Sequence, residues 1–420
     1  MVEKNILLVC FSFPPFPGIG GRRWAKFAKY LAKENVKVNV LAAKNSSSSV
    51  SEWLTDTDSP NIVVHELPLG LSKIFSFYPV SIYEKIIYKA LSGLSSFMIK
   101  GNPQDKVFFV RDRFLSEAER IIKENNIDTL IVTIPPYKLA YYFTAIKKKF
   151  PNLKFIVDYR DPWTDNRSYH GFAELSEERL RKETEYEKEV LETADVVCDV
   201  NEISLKALQS KTVSKAKFVH LPNGFDQEDY PAELNEYVPG PVKRFIYTGS
   251  FYPNLIYLLE PIIQLLLKLK ASRPDIYNTL RFDFYGNMDH KAQEVLKRSN
   301  CTIITFHGNV PRSQVIDEIR DSDYCLLFAA NDHSHAFNTK FYEYLYLKKP
   351  VLYFGNRGPV AEYIEHNKAG LVFTPSTVNK GFGEFINGLK EKPLQFNKEM
   401  DLSEFDVKGL TQKLLRIINE

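Results

Sequence analysis

The run Phe218-Val219-His220-Leu221-Pro222-Asn223-Gly224-Phe225-Asp226 closes one pattern, and Arg244-Phe245-Ile246-Tyr247 opens it again. The first run is a short strand-like stretch stopped by Pro-Asn-Gly, residues that turn a chain rather than extend it. Residues 226–241 are polar, carry prolines and read as a linker. Before the break, strand-like runs at 6–13, 36–42, 129–133, 155–158, 196–200 and 218–221 interleave with helix-like stretches such as 22–34 and 173–193. After it, strands at 244–247, 280–285, 302–307, 324–329, 351–354 and 370–373 interleave with helices such as 255–271, 313–320 and 340–348. Near-continuous apolar runs such as 6–13 suit parallel strands covered on both faces. Two rounds of alternation predict two doubly wound α/β domains, at 1–225 and 242–400, with 401–420 a last helix that packs back on the first. Ligands of such folds sit at the carboxyl ends of the strands, so an interdomain cleft is the expected site.

The length of 420 residues allows two or three domains, and the restart of alternation selects two. Charge is balanced, 55 Lys and Arg against 52 Asp and Glu, which makes no case for nucleic acid. The 4 cysteines, at 10, 198, 301 and 325, form no Cys-x-x-Cys pair and read as reduced core thiols of a cytoplasmic protein. The apolar run at 6–13 is followed by Pro14-Pro15 rather than small residues, so it reads as a first strand and not a signal peptide. The aromatic share is high, 13%, with 30 Phe and 23 Tyr, and must be core, pocket lining or adhesive surface.

The first strand runs into Pro14-Pro15-Phe16-Pro17-Gly18-Ile19-Gly20-Gly21-Arg22-Arg23 and then a helix. Glycines let the backbone approach a ligand, a helix start offers N–H groups, and two arginines add charge, a combination that suits a diphosphate. A tight turn with surface arginines is the other reading. As a dinucleotide fingerprint the loop fails, because Arg23 occupies the third glycine position.

These motifs, in this order, resemble the GT-B-fold glycosyltransferases, and within them family 4. The resemblance rests on the 14–21 opening, on Leu221-Pro222-Asn223-Gly224-Phe225-Asp226, on Tyr247-Thr248-Gly249-Ser250, on Phe306-His307-Gly308-Asn309-Val310-Pro311, and on 340–351. It implies two Rossmann-like domains facing a cleft, the second holding a nucleotide-sugar donor (UDP- or GDP-linked), the first an acceptor. It implies transfer of the sugar to an acceptor hydroxyl with retention of configuration and without a metal or other cofactor.

Carried over residue by residue, the resemblance makes Glu343 the ribose ligand, for a carboxylate accepts from both ribose hydroxyls. The position that normally carries a second glutamate, near the sugar, holds His335, a catalytic-site candidate whose imidazole can bond a sugar hydroxyl or, protonated, sit near the phosphates; a different sugar or lost activity is the other reading. Gly249, Ser250, Val310, Phe337, Asn338, Thr339 and Lys340 complete the donor set, with Gly20, Gly21 and Arg22 from the first loop. The usual Arg and Lys after the 244–247 strand are missing from 250–259, so diphosphate charge must come from Lys340, Arg22, Arg23, Arg312 or Arg357.

In the first domain, Asp158-Tyr159-Arg160-Asp161-Pro162-Trp163 ends a strand. Asp161 is the candidate for handling the acceptor hydroxyl, as hydrogen-bond partner or base, and Arg160 for binding a phosphate. A turn start with a buried arginine–carboxylate pair is the alternative. Arg23 and Trp163 are the acceptor-side candidates, Trp163 as sugar platform or as core. Residues 71–100, rich in Phe, Tyr, Ile and Lys, form either a patch that meets a membrane carrying a lipid-linked acceptor or a pair of core-facing helices. The expected setting is bacterial cell-surface polysaccharide or glycolipid assembly, in the cytoplasm at the inner membrane face. The rival readings are a non-catalytic sugar-nucleotide or partner-binding relative, a GT-B sugar-nucleotide epimerase, and an NAD-dependent dehydrogenase.

Overall fold

The computed structural model describes residues 4–47, 49–76, 81–165, 171–231, 237–330 and 337–420. The chain forms two compact units, Met1–Pro222 with Val407–Glu420, and Asn223–Asp406. The boundaries differ from those read in the sequence. Phe225, read as the end of the first domain, and Tyr230, read as linker, are buried in an aromatic cluster with Tyr342, Tyr344 and Phe405, so both belong to the second unit's core.

The first unit carries a seven-stranded parallel sheet: β1 Asn5–Val9, β2 Lys37–Ala43, β3 Ile62–Leu67, β4 Thr129–Ile134, β5 Lys154–Tyr159, β6 Val196–Asp199 and β7 Lys217–His220, ordered β3-β2-β1-β4-β5-β6-β7. The central strand β1 aligns Leu8 with Val40 on one side and with Ile131 on the other. Residues Ile6 to Val9 are fully covered, because helices pack on both faces of a parallel sheet. The 6–13 run is therefore strand only to Val9; past it the chain turns into the proline-glycine loop. Helix Val407–Asn419 belongs to this unit and packs on helix Arg22–Lys33, burying Val407, Leu410, Leu414, Ile417 and Ile418.

The second unit carries a six-stranded parallel sheet: β8 Lys243–Thr248, β9 Leu280–Tyr285, β10 Ile304–Gly308, β11 Tyr324–Ala329, β12 Val351–Gly355 and β13 Gly370–Phe373, ordered β10-β9-β8-β11-β12-β13. Its core absorbs much of the aromatic excess: Phe245, Phe282, Phe284, Phe328, Phe354 and Phe382 all pack there. In both sheets strand order reverses beside the first strand, between β1 and β4 and between β8 and β11. Such switch points are where doubly wound folds bind ligands. All four cysteines are buried thiols, and desolvation pushes Cys10 and Cys198 well above the usual thiol range.

Candidate functional site

The second unit's switch point is built from glycines and one lysine. Gly249 follows β8 at φ 109°, Gly286 follows β9 at φ 118°, and Gly308 ends β10 at φ 74°. A side chain at Gly249 would put its Cβ 2.9 Å from Lys340 Nζ, and one at Gly286 would strike the Gly249 carbonyl oxygen at 2.5 Å. Only glycine fits both the positive φ and the close approach. The Gly249 position was legible from its motif; Gly286 was missed, although Tyr285-Gly286 repeats the same strand-then-glycine signal.

Lys340 stands in the first turn of helix Thr339–Tyr346. Its ammonium lies 4.4 Å from the Tyr247 ring centroid and donates to the Tyr247 hydroxyl at 2.9 Å. That hydroxyl in turn donates to the Ser250 carbonyl at 2.8 Å. Ser250 is half-buried, and its carbonyl is what Tyr247 engages. The helix is held to β8 by Tyr344, whose hydroxyl accepts from the Thr248 N–H at 3.0 Å. Asn338 is the N-cap, its side chain accepting from the Phe341 N–H at 3.1 Å, which leaves the first-turn dipole of Thr339 and Lys340 at the site.

Glu343 lies one turn after Lys340, on the same helix face. Its Oε1 accepts from Arg312 Nη1 at 2.6 Å, and Arg312 Nη2 lies 3.4 Å from Asp229. Burial works against the Arg312 charge, but Glu343, Tyr230 and Asp229 outweigh it and hold the guanidinium above its ordinary range. The sequence named Arg312 only as a source of phosphate charge; the structure makes it the ion partner of Glu343. A carboxylate has about four lone-pair positions, so one arginine bond leaves capacity for hydroxyl donors. Arg357 is paired with Glu365 at 2.8 Å on an exposed surface. Val310 packs partly buried against the same core cluster as Tyr344. Phe337 is half-buried and meets Phe341 and Tyr363 edge-on, at 5.6 and 5.7 Å between centroids. His335 lies outside the described residues.

The first unit disposes of its charged candidates differently. Arg23 is not an acceptor ligand: it is buried, its Nη2 donates to Asp158 at 2.9 Å, and it also bonds the carbonyls of Leu221 and Pro222 at 2.8 Å. Asp158 further accepts from Trp24 Nε1 at 2.7 Å and the Thr133 hydroxyl at 2.9 Å. Trp163 is not a sugar platform. It is wholly buried, stacks on Tyr137 with centroids 5.7 Å apart, and donates to Glu183 at 2.8 Å. Arg160 is half-buried and serves as a brace, its guanidinium bonded to the carbonyls of Ile134 at 3.2 Å, Pro135 at 2.6 Å and Gly20. It is not in the arginine–carboxylate pair that the alternative reading offered; that pair belongs to Arg23. Gly21 is packed against Phe13 and Pro14, where a Cβ would sit 3.3 Å from both. Arg22 is buried at the start of its helix, whereas Asp161 is half-buried just past the end of β5.

Comparison with known proteins agrees with this architecture. Residues 242–390 match the family described as glycosyl transferases group 1. No curated protein sequence matches the chain. Among solved structures, sucrose-phosphate synthase from Thermosynechococcus elongatus superposes with a TM-score of 0.69 at 13% identity, covering 99% of this chain and 98% of that one. A trehalose-6-phosphate protein from E. coli bound with UDP-2-fluoro glucose gives 0.65 at 12% identity, covering 99% of both chains. Anabaena Alr3699/HepE in complex with UDP-glucose gives 0.60 at 13% identity, again over 99% of both. The fold is therefore GT-B, and its second unit carries a group 1 glycosyltransferase domain. Fold and domain together define the class: this is a glycosyltransferase.

Proposed function

We propose that the chain is a family 4-type enzyme moving a sugar from a nucleotide-sugar donor to an acceptor hydroxyl, with retention and without a metal. The observation that carries the donor reading is the pairing of Lys340 and Glu343 on one face of a helix start, beside the positive-φ glycine after β8. The lysine suits a diphosphate and the carboxylate suits ribose hydroxyls one turn away. A fixed cation also stabilises the charge that grows on the leaving diphosphate in the transition state. A UDP-sugar is the preferred donor, supported by the neighbours solved with UDP-glucose and UDP-2-fluoro glucose; a GDP-sugar is the second choice. In the first unit, Asp161 is the group assigned to the acceptor hydroxyl. The acceptor we infer is a polysaccharide or lipid-linked saccharide of bacterial cell-surface assembly, met at the inner face of the cytoplasmic membrane. Retention, metal independence and this setting come from the family resemblance.

Calorimetry with UDP-glucose and GDP-sugars tests the reading. Glu343→Ala should weaken donor binding by about 10- to 100-fold, the worth of a hydrogen bond to a charged group. Unchanged affinity would remove Glu343 from the site. A second reading, binding without turnover, is favoured by His335 standing at the usual glutamate position. Donor affinity with no sugar release on any acceptor or on water would select it.

A further inference from the structure

Helix Ile82–Met98 of the first unit turns an apolar stripe outward. Ile82 is 78% exposed, Tyr83 73%, Ile86 62%, Leu94 46% and Phe97 91%. At 100° per residue these five fall within about a third of the helix circumference. The small exposed residues Ala90 and Gly93 lie between them. The opposite side is the one the protein holds: Tyr88 packs on Phe75 with centroids 5.8 Å apart, and Ser95 is buried.

Both ends of the helix are fixed, so the outward face belongs to a formed helix. At the start, Ser81 accepts from the Glu84 N–H at 3.1 Å while Glu84 accepts from the Ser81 N–H at 2.9 Å, a complete capping box. At the far end, the Arg179 guanidinium donates to the carbonyls of Ser96 at 2.5 Å, Ile99 at 3.0 Å and Gly101 at 2.6 Å.

Charge selects the occupant. Lys85 and Lys89, both exposed, border one edge of the stripe, and the exposed Lys100 follows its last residues in the chain. The sole acid in 71–100 is Glu84, whose carboxylate is engaged in the capping box. A self-paired stripe would find within 71–100 only Glu84, whose carboxylate caps its own helix, whereas anionic headgroups would meet the lysines directly. Among the described residues no helix is long and apolar enough to cross a membrane, so this one would lie in the plane. We propose that the Ile82–Met98 face docks the protein on an anionic lipid bilayer, the rings of Tyr83 and Phe97 entering the headgroup boundary while Lys85 and Lys89 meet the phosphates. The contact stands apart from the donor site.

Sedimentation of the full chain with vesicles tests it. Binding is expected to phosphatidylcholine vesicles containing phosphatidylglycerol, weaker to phosphatidylcholine alone, and reduced by added salt. Ile86→Ser combined with Phe97→Ser should lower binding by at least roughly tenfold. Lys85→Glu with Lys89→Glu should lower it by roughly tenfold or more and abolish the salt dependence. These positions are exposed, so thermal melting and donor affinity should match wild type, which separates failure here from failure of the donor reading. No binding to either vesicle, binding that the serine variant leaves intact, or a dimer in sedimentation velocity that this variant dissolves, would overturn the proposal.

Discussion

The two switch points share a topology and differ in how their charges are used. Between β1 and β4, Arg160 ties the glycine loop to the end of β4 through the carbonyls of Gly20, Ile134 and Pro135, and Arg23 is consumed by Asp158 and two further carbonyls. Beside β8, three glycines at positive φ open the strand ends, and Lys340 lies across Gly249 with the Tyr247 hydroxyl as its hydrogen-bond partner. Cationic side chains thus brace backbone in one unit and stand beside glycine strand ends in the other. A charge in a saturated network is expected to matter to folding; a charge held by a ring and one hydroxyl is expected to matter to binding.

The largest expected effect tests the first half of that contrast. Asp158→Ala leaves Arg23 and Trp24 with buried donors and should cost about 3–5 kcal/mol in urea unfolding, as removal of one partner from a buried pair does. A loss under about 1 kcal/mol would show that Arg23 is not dependent on Asp158. Gly249→Val probes the other half: its φ of 109° and the 2.9 Å approach of Lys340 should cost about 1–3 kcal/mol and abolish the thermal shift produced by donor. A tolerated valine with intact donor response would erase the distinction between the two sites.

A smaller effect is expected at Asp199, which ends β6 in the first unit. Burial pushes its carboxyl up from an ordinary 3.8 to about 7, against the opposing bonds from Ser204 and the Asn201 N–H. The folded state therefore holds this proton more tightly than the unfolded chain. Its contribution is present below 3.8 and lost as pH rises through 7. Asp199→Asn should flatten the pH dependence of stability across that window, measured by denaturation at several pH values; an unchanged slope would assign it to other groups. Least of all, Arg357→Ala should leave melting and donor affinity unchanged, since Arg357 is exposed and paired only with Glu365 among its bonds described above. A weakened donor would return Arg357 to the site.

Much of the fold was legible because buried parallel strands are written as continuous apolar runs. β3 was not, for Ile-Val-Val-His-Glu-Leu at the sheet edge alternates burial and carries charge. The helix carrying Lys340 and Glu343 was legible from its pattern, and helical spacing places the two on one face; the donor role proposed for them came from the family resemblance. Arg23 and Trp163 were misread for a shared reason. Each sits at a strand end or helix start where ligand contact and core contact look alike locally. Their partners are distant in sequence, as with Arg23 and Asp158, which are 135 residues apart.

The sequence by itself determined two rounds of β-α alternation and the break between them, since local periodicity is a property of neighbouring residues; the glycine-lysine-glutamate set of the second unit was named through the family resemblance. Only the tertiary structure decided which charges remain available to a ligand. That depends on what each side chain meets after folding: Asp158 for Arg23, three carbonyls for Arg160, Glu183 for Trp163 and Arg312 for Glu343. Burial without a partner is costly, so the fold assigns partners first, and function is left to the groups whose bonding capacity is not yet exhausted.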